Sequence, residues 1–256
     1  MTSFNRENFL AEAVNSVLAS TFTNFELIIV DDCSTDTTVA IARQFEAKDQ
    51  RVKVFINEKN LTDYPNRNKA ASLASGKYIK YVDSDDILYP HCLQVMVHAM
   101  EQFPDAGYGL SCLPDIKEPF PLCISPHQAY REHFFERSHF DRAPGSAIIN
   151  KKAFESVGGF SGQRMIGDFE LWLKIGQIHP LVKFPVDLYW SRHHSGQESK
   201  SDYAKKYSEL TMLAIETAFA NKDCPLSEIE KDEARKRINR KKKKVKVIKI
   251  INKIFG

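Results

Sequence analysis

The chain has 256 residues, of which 43% are hydrophobic and 27% are charged, a composition typical of a soluble globular protein with one large domain or one domain plus appendages. Its five cysteines include no Cys-x-x-Cys pair, which argues against a disulfide framework and a thiolate zinc site and favours a reducing compartment. The sequence contains neither a secretory signal nor a run of about 18 apolar residues that could span a bilayer.

Charge is unevenly divided along the chain. The net charge is +3, but residues 231–256 carry 12 Lys or Arg against 2 Asp or Glu, so this segment has a net charge of +10 and the remainder −7. We therefore expect a mildly acidic body that carries a strongly basic tail.

The first part of the chain alternates between helical and strand patterns. Apolar residues at helical spacing predict an amphipathic helix over residues 7–20, and the unbroken apolar run from Phe25 to Val30 predicts a strand buried on both faces. Further helices are expected near 37–47 and 65–75, and further strands at 52–56 and from Lys77 onward. This βαβ order predicts an α/β fold with a doubly wound, mostly parallel sheet and helices on both faces.

Carboxylates follow two of the predicted strands. Asp31 and Asp32 end one strand, and Asp83, Asp85 and Asp86 end another. Parallel strands place these ends at one sheet edge, where open α/β sheets bind ligands. Crowded carboxylates repel one another unless a cation lies among them, and oxygen ligands suit Mg²⁺ or Mn²⁺. On these residues alone, a turn that caps the following helix explains the second group equally well.

Several motifs occur in an order that is more specific than any one of them. They are Thr2-Ser-Phe-Asn-Arg6, Phe25-Glu-Leu-Ile-Ile-Val-Asp-Asp32, Arg67-Asn68, Gly76-Lys-Tyr-Ile with Asp83-Ser-Asp-Asp86, Val157-Gly-Gly-Phe160 with Gly167-Asp-Phe-Glu-Leu-Trp172, and Arg192-His-His-Ser-Gly196. In this order they resemble the inverting family 2 glycosyltransferases of the GT-A fold over residues 1–200. The resemblance implies a Rossmann-like GT-A domain, to which the basic helical tail would be appended.

The resemblance also implies roles for individual side chains. Asp168 would be the general base that takes a proton from the acceptor hydroxyl. Asp85 would bind Mn²⁺ or Mg²⁺, which offsets the negative charge growing on the leaving diphosphate, and His194 would be a further ligand to the metal or to the diphosphate. The nucleotide sugar would be bound by Thr2, Phe4, Asp32, Arg67, Asp83 and Ser84, with Phe4 near the base and Asp32 accepting hydrogen bonds from it.

The sequence departs from the family pattern at two places. The apolar strand that normally precedes the Thr-Ser-Phe-Asn element is absent before Met1, so neighbouring strands are expected to be unpaired and exposed. We interpret Met1 as an internal methionine or as the start of a fragment. The second departure is Gly167, which stands where the family commonly has Glu.

Some of these residues also have plain structural interpretations. Asp168 and Glu170 fit the exposed positions of an amphipathic helix, and Arg67 fits a surface ion pair of little energetic weight. His194 fits a solvated loop. The order of the motifs favours the catalytic interpretation of Asp168, while both interpretations of Arg67 and of His194 stay open.

The C-terminal region is predicted to form two further units. Residues 201–226 would be a helix packed on the domain, and residues 227–256 a basic amphipathic tail whose part 240–256 lies on an anionic membrane surface. A solvated tail or a partner-binding helix is the alternative. No nucleic-acid partner is expected, because the tail lacks aromatic interleaving and a second basic face.

These features predict an enzyme of the hexosyltransferase type, located in the cytoplasm at the inner face of the cell membrane. It would move a sugar from a nucleotide-diphosphate donor, UDP-linked by preference, to a hydroxyl of a glycan or lipid-linked acceptor in surface polysaccharide synthesis. The alternative is an inactive, truncated family member that binds a membrane or a partner through its basic tail.

Overall fold

The computed structural model describes residues 1–114, 118–194 and 205–240. Its strands are β1 (Thr2–Ser3), β2 (Leu27–Asp31), β3 (Val52–Ile56), β4 (Tyr78–Ile79), β5 (Ile87–Leu88), β6 (Tyr108–Cys112), β7 (Leu122–Ile124), β8 (Ala147–Asn150), β9 (Leu181–Pro185) and β10 (Tyr189–Trp190). Its helices are α1 (Leu10–Leu18), α2 (Thr38–Lys48), α3 (Asp63–Leu73), α4 (Cys92–Glu101), α5 (Pro126–Arg131), α6 (Lys151–Ser156), α7 (Gly167–Ile178), α8 (Tyr207–Ala220) and α9 (228–240). The predicted α/β class is confirmed.

The strands form two larger sheets. The first, in the order β1-β2-β3, is parallel throughout, with Ile29 of β2 opposite Val54 of β3. The second has the order β4-β8-β6-β9-β7. Only β6 and β9 are parallel there, since β8 runs antiparallel to both β4 and β6, and β7 runs antiparallel to β9. The parallel arrangement expected from the βαβ order thus describes the first sheet, whereas the second sheet is mixed.

Burial follows the apolar runs that formed these strands. All five residues of β2 are buried, as are all five of β6, because helices cover both faces of the sheets. Helix α1 turns Leu10, Val14 and Val17 towards the core beside the first sheet. Because β2 is buried along its whole length, the position of Asp32, which directly follows it, is fixed.

The two sheets meet at the amino end of the chain. Thr2 of β1 forms a parallel bridge to Asp83, which joins the first sheet to the segment after β4. Next to this bridge in the chain, the amino group of Met1 donates to the carbonyl of Ile28 at 2.8 Å. Burial lowers the pKa of that amino group to about 5. A groove of 360 Å³ then separates the sheets and is lined on one side by Leu27 and Ile28 and on the other by residues 76–82. The unpaired strand edges expected from the missing first strand stay a prediction.

The described part of the C-terminal region packs against the helices beside the second sheet, with α8 in contact with α7. In α8 the buried residues Ala214, Ile215, Ala218 and Phe219 contact the core. Ala234 in α9 is fully buried, and α9 is held further by ion pairs that join Glu230 to Arg131 and Arg235 to Glu216.

The predicted tail therefore begins as a helix docked on the body up to residue 240. Residues 241–256, which carry most of the predicted membrane-binding segment, lie outside the described residues, as do 195–204. None of the helices in the described ranges has the length and apolar content that crossing a bilayer requires.

Candidate active site

The carboxylate of Asp32 orders the loop that leads into α3. Asp32 directly follows β2 and is 3% exposed. Its Oδ1 accepts hydrogen bonds from Asn57 Nδ2 at 2.7 Å and from the backbone N of Leu61 at 2.8 Å, and its Oδ2 accepts one from the backbone N of Thr62 at 2.9 Å. Thr62 adopts a positive φ of 70°, a conformation that non-glycine residues rarely take up. Asp32 thus has a structural role at the base of the site, and its predicted contact with the nucleotide base stays a prediction.

Arg67 of α3 joins two carboxylates inside the site. Its Nε lies 2.7 Å from Asp63 Oδ1 and its Nη2 lies 2.7 Å from Asp83 Oδ1. Burial alone would lower the pKa of Arg67, but Asp83 and Asp63 raise it well above the ordinary value. For Asp83, burial raises the pKa and Arg67 outweighs this, so that the pKa is lowered. Both groups are therefore charged at neutral pH.

One donor of Arg67 has no partner among the described residues. Its Nη1 is buried and makes no hydrogen bond there, although a buried donor of a charged group is costly to leave unmade. Arginine presents its donors as a planar fork that matches phosphate and carboxylate oxygens. The binding of the nucleotide by Arg67 stays a prediction, and Nη1 is the atom of its guanidinium that has no partner among the described residues.

A second cluster is centred on Asp85. Arg6 Nε and His194 Nε2 both reach Asp85 Oδ2, at 3.0 and 2.9 Å respectively. His194 also packs its ring against Phe9, with 5.1 Å between ring centroids. The structure thus brings the two predicted metal ligands into direct contact.

The backbone around Asp85 is held by Arg192. The backbone N of Arg192 donates to Asp86 Oδ1 at 3.0 Å, and its Nε donates to the carbonyl of Asp85 at 2.9 Å. Its guanidinium also pairs with Glu12 at 2.5 Å. Burial, and then Asp83, raise the pKa of Asp86 to about 6. Arg192, two residues after β10, thereby fastens the acidic turn to α1.

The chemistry of the Asp85 cluster suits a divalent cation. Carboxylate oxygen and imidazole nitrogen are both ligands of Mn²⁺, and Mg²⁺ is commonly bound through one or two carboxylates plus substrate phosphates and water. Within the described ranges, no group of three or more His, Cys, Asp or Glu side chains forms a ready metal site. Asp85 and His194 fit a cation whose remaining ligands are phosphate oxygens of a bound nucleotide.

The remaining predicted nucleotide contacts lie on the same side of the molecule. Thr2 bridges to Asp83, and Ser84 is buried between the two clusters at 4% exposure. Phe4 is 44% exposed at the end of β1, and its carbonyl accepts from Arg6 Nη1 at 3.1 Å. An exposed aromatic ring beside a basic side chain is available for stacking on a base.

Asp168 lies in the first turn of α7 and contacts α3. Its Oδ1 accepts from the backbone N of Phe169 at 2.8 Å. Burial raises its pKa to about 6, while hydrogen bonds from Phe169 and from the Tyr64 side chain lower it. Arg67 is also close enough to affect this pKa. A carboxylate of this kind is ionised at neutral pH and is a stronger base than an exposed Asp.

Helix α3 connects the three predicted carboxylates. Asp32 holds the residue before its first turn, Arg67 reaches Asp83, and the ring of Tyr64 lies against Gly167, the neighbour of Asp168. Sequence reasoning missed three contributors, which are Arg6, Arg192 and Tyr64. The first two lie inside quoted motifs, so their charge was a usable signal, whereas nothing in the local sequence marked Tyr64.

The comparison with known proteins agrees with this arrangement. The family model described as "Glycosyl transferase family 2" matches residues 1–158. The chain belongs to glycosyltransferase family 2. Among curated relatives, the "Putative teichuronic acid biosynthesis glycosyltransferase TuaG" of Bacillus subtilis is 43% identical over 112 residues, which are 42% of this chain and 44% of that protein. The chain spans between 24% and 64% of the length of the first curated relatives it matches.

Solved structures confirm the GT-A fold of this family 2 chain. S. aureus TarS 1–349, crystallised in complex with UDP-GlcNAc, has a TM-score of 0.71 and 20% sequence identity, covering 91% of this chain and 68% of that one. The mannosyltransferase PcManGT from Pyrobaculum calidifontis, in complex with GDP-Man and Mn²⁺, has a TM-score of 0.66 and 15% identity, covering 86% and 63%.

Proposed function

We propose that the protein is an inverting, metal-dependent glycosyltransferase. It transfers a sugar from a UDP-sugar to a hydroxyl of a glycan or lipid-linked acceptor in surface polysaccharide synthesis. The observation that carries this proposal is that Arg67 of α3, which is paired with Asp83 and keeps Nη1 without a partner among the described residues, lies close enough to Asp168 of α7 to affect its pKa. The names of TuaG, of TarS with UDP-GlcNAc and of PcManGT with Mn²⁺ support the polymer class, the donor and the cation.

The proposed reaction is a single in-line displacement. Asp168 accepts the proton of the acceptor hydroxyl while that oxygen forms a bond to the anomeric carbon. The bond from this carbon to the diphosphate oxygen breaks, and its electron pair leaves with UDP. Because attack and departure occur on opposite faces, the configuration at the anomeric carbon is inverted. With a pKa of about 6, Asp168 is ready to accept the proton at neutral pH.

The chain's own residues would bind and neutralise the donor. Arg67 would donate from Nη1 to an oxygen of the nucleotide, and Phe4 would stack on the base. Asp85 and His194 would hold Mn²⁺ or Mg²⁺, and such a cation offsets negative charge on the departing diphosphate. Asp32, Asp83, Ser84 and Thr2 would complete the donor side.

The location of the protein is part of the same proposal. We assign the catalytic domain to residues 1–200, a packed helical segment to 201–226 and a basic extension to 227–256. The net charge of +10 over residues 231–256 supports attraction to an anionic membrane surface at the cytoplasmic face. Docking of α9 on the body would hold that extension at a fixed side of the domain.

A donor panel tests the proposal directly. The protein is incubated with UDP-, GDP- and dTDP-sugars, Mn²⁺ and glycan or lipid-linked acceptors, and nucleotide release and product mass are measured. We expect UDP release that depends on Mn²⁺, is abolished in Asp168→Asn and is retained in Asp105→Asn, an exposed carboxylate in a loop after α4. If no donor is consumed and UDP does not raise the melting temperature, the transferase proposal is wrong. Binding to anionic vesicles without transfer would instead support the inactive, membrane-binding alternative.

A further inference from the structure

Arg6 occupies the carboxylate that the divalent cation would use. Its Nε donates to Asp85 Oδ2 at 3.0 Å, and the two side chains are 26% and 16% exposed. His194 Nε2 lies 2.9 Å from the same oxygen. Because an ionised carboxylate oxygen only accepts hydrogen bonds, both neighbours compete with a metal ion for Oδ2. In this arrangement a positive charge of the chain itself takes the place of the cation.

The side chain of Arg6 is held less firmly than its backbone. The backbone N of Arg6 donates to Thr38 Oγ1 at 2.7 Å, which ties this turn to α2. The guanidinium is partly exposed, and its Nη1 donates to the carbonyls of Phe4 and Asn5 at 3.1 and 3.2 Å. A partly exposed ion pair contributes little net stability. The pair with Asp85 can therefore open by rotation of the side chain while the backbone stays in place.

The other two carboxylates of the acidic turn have partners of their own. Asp83 Oδ1 lies 2.7 Å from Arg67 Nη2, and Asp86 Oδ1 accepts from the backbone N of Arg192 at 3.0 Å. The described residues offer no group of three metal-binding side chains, so a cation here would need phosphate oxygens as further ligands. The release of Asp85 by its guanidinium partner is thus a step that cation binding requires.

We propose that Arg6 makes the binding of the divalent cation depend on the donor diphosphate. The inference rests on the proposed function, in which Asp85 holds the cation. Without nucleotide, an entering cation must displace the guanidinium from Oδ2 and remain close to its positive charge. A bound diphosphate brings negative charge that compensates both, so that Arg6 turns from Asp85 to the diphosphate while the cation takes its place.

This exchange has a thermodynamic consequence. A unit positive charge about 4 Å from a divalent cation weakens the binding of that cation about tenfold or more, even in a medium as polar as water. Arg6 should therefore weaken the binding of Mn²⁺ in the absence of nucleotide and affect it little when UDP is bound. Because the coupling between two ligands is reciprocal, Mn²⁺ should raise the affinity for UDP by the same factor as UDP raises the affinity for Mn²⁺.

The test measures Mn²⁺ binding to the full chain, with and without UDP, from the electron paramagnetic resonance of free Mn²⁺. The signal is corrected for the Mn²⁺ that free UDP binds. In the unmodified protein, UDP should tighten Mn²⁺ binding about tenfold or more. Arg6→Gln removes the charge, so it should tighten Mn²⁺ binding without UDP about tenfold and reduce the gain from UDP by the same factor. Arg6→Lys, which keeps the charge, should behave like the unmodified protein.

Two controls make the measurement specific to the contact with Asp85. Arg43→Gln removes an arginine that pairs with Glu46 on α2 and is not placed in the active site, so Mn²⁺ binding should be unchanged. In an Asp85→Asn background, Arg6→Gln should give no gain, because the carboxylate for which guanidinium and cation compete is gone. Melting temperatures show whether each variant is folded.

Three results would overturn the proposal. The first is Mn²⁺ binding in Arg6→Gln that is no tighter than in the unmodified protein, and the second is a gain that persists in Asp85→Asn. The third needs no variant and is equally tight Mn²⁺ binding to the unmodified protein with and without UDP.

These measurements need no turnover, which separates the inference from the transferase proposal. If no donor is consumed but Arg6→Gln still tightens Mn²⁺ binding through Asp85, the proposed function is wrong and the competition for Asp85 stands. If Mn²⁺-dependent transfer occurs and Arg6→Gln leaves the Mn²⁺ affinity unchanged with and without UDP, the function stands and the role of Arg6 is refuted.

Discussion

Asp168→Asn should stabilise the fold while it abolishes transfer. Burial raises the pKa of Asp168 from 3.8 to about 6, so the ionised carboxylate is less favourable in the folded chain than in the unfolded one. A shift of about two units corresponds to about 3 kcal/mol at a pH above both values. Since the amide keeps part of the desolvation cost, we expect a gain of about 2 to 3 kcal/mol at pH 8, or roughly 5 to 10 °C in melting temperature.

The sign and the pH window make this prediction specific. A carboxyl whose pKa is raised by folding contributes stability below its unfolded pKa of 3.8, and this contribution is lost as pH rises through about 6. The gain from Asp168→Asn should therefore be full at pH 8, about half at pH 5 and below about 1 kcal/mol at pH 4. Urea denaturation at these three pH values measures it, and Asp105→Asn, in an exposed loop, serves as the matched control. A difference that is constant between pH 4 and pH 8, or a less stable variant at pH 8, would refute the reasoning.

Three further predictions concern the proposed donor site and helix α3. Arg67→Ala leaves Asp63 and Asp83 without their shared cation. Because both carboxylates are partly exposed, we expect a loss of about 2 to 3 kcal/mol of unfolding free energy, less than for a fully buried pair. UDP binding, measured by calorimetry, should weaken at least tenfold, and unchanged UDP affinity would contradict the role of Nη1. Asn68→Ala removes two hydrogen bonds to Phe160 and should cost about 2 kcal/mol in urea denaturation, whereas an unaltered midpoint would show that the turn holds itself. EDTA should abolish transfer and Mn²⁺ restore it, and Asp85→Asn should need a higher Mn²⁺ concentration for half-maximal rate; transfer that persists in EDTA would rule out the metal.

The first sheet could be predicted from the sequence because its signals are local. The run predicted at Phe25–Val30 forms β2 at Leu27–Asp31, and 52–56 is a strand with the same bounds. The helix expected over 7–20 is shorter, Leu10–Leu18. The chain makes a turn that begins at Asn5, which has a positive φ, and the N-cap of the helix is Phe9. In each case the local spacing of apolar residues located the element.

The rest depended on contacts between distant parts of the chain. The strand expected from Lys77 onward is only Tyr78–Ile79, because its partner β8 pairs with these two residues alone. The pairing of Tyr108 with Leu181 joins residues far apart in sequence, which no local pattern predicts. Of the site, the acidic residues were visible in the sequence, but the Arg67 ion pairs and the contact of Tyr64 with Gly167 arise only from packing.

The placement of so many site contacts on α3 has a practical consequence for anyone who wishes to redirect the enzyme. Asp63, Tyr64, Arg67 and Asn68 occupy barely two turns, and in the proposed reaction this helix borders both the donor and the general base. A substitution that tilts α3 would therefore change donor preference and proton removal together. The two properties could not be altered separately through this helix. Changes to donor preference are better sought at the rim around Phe4, which is exposed and borne by a different segment.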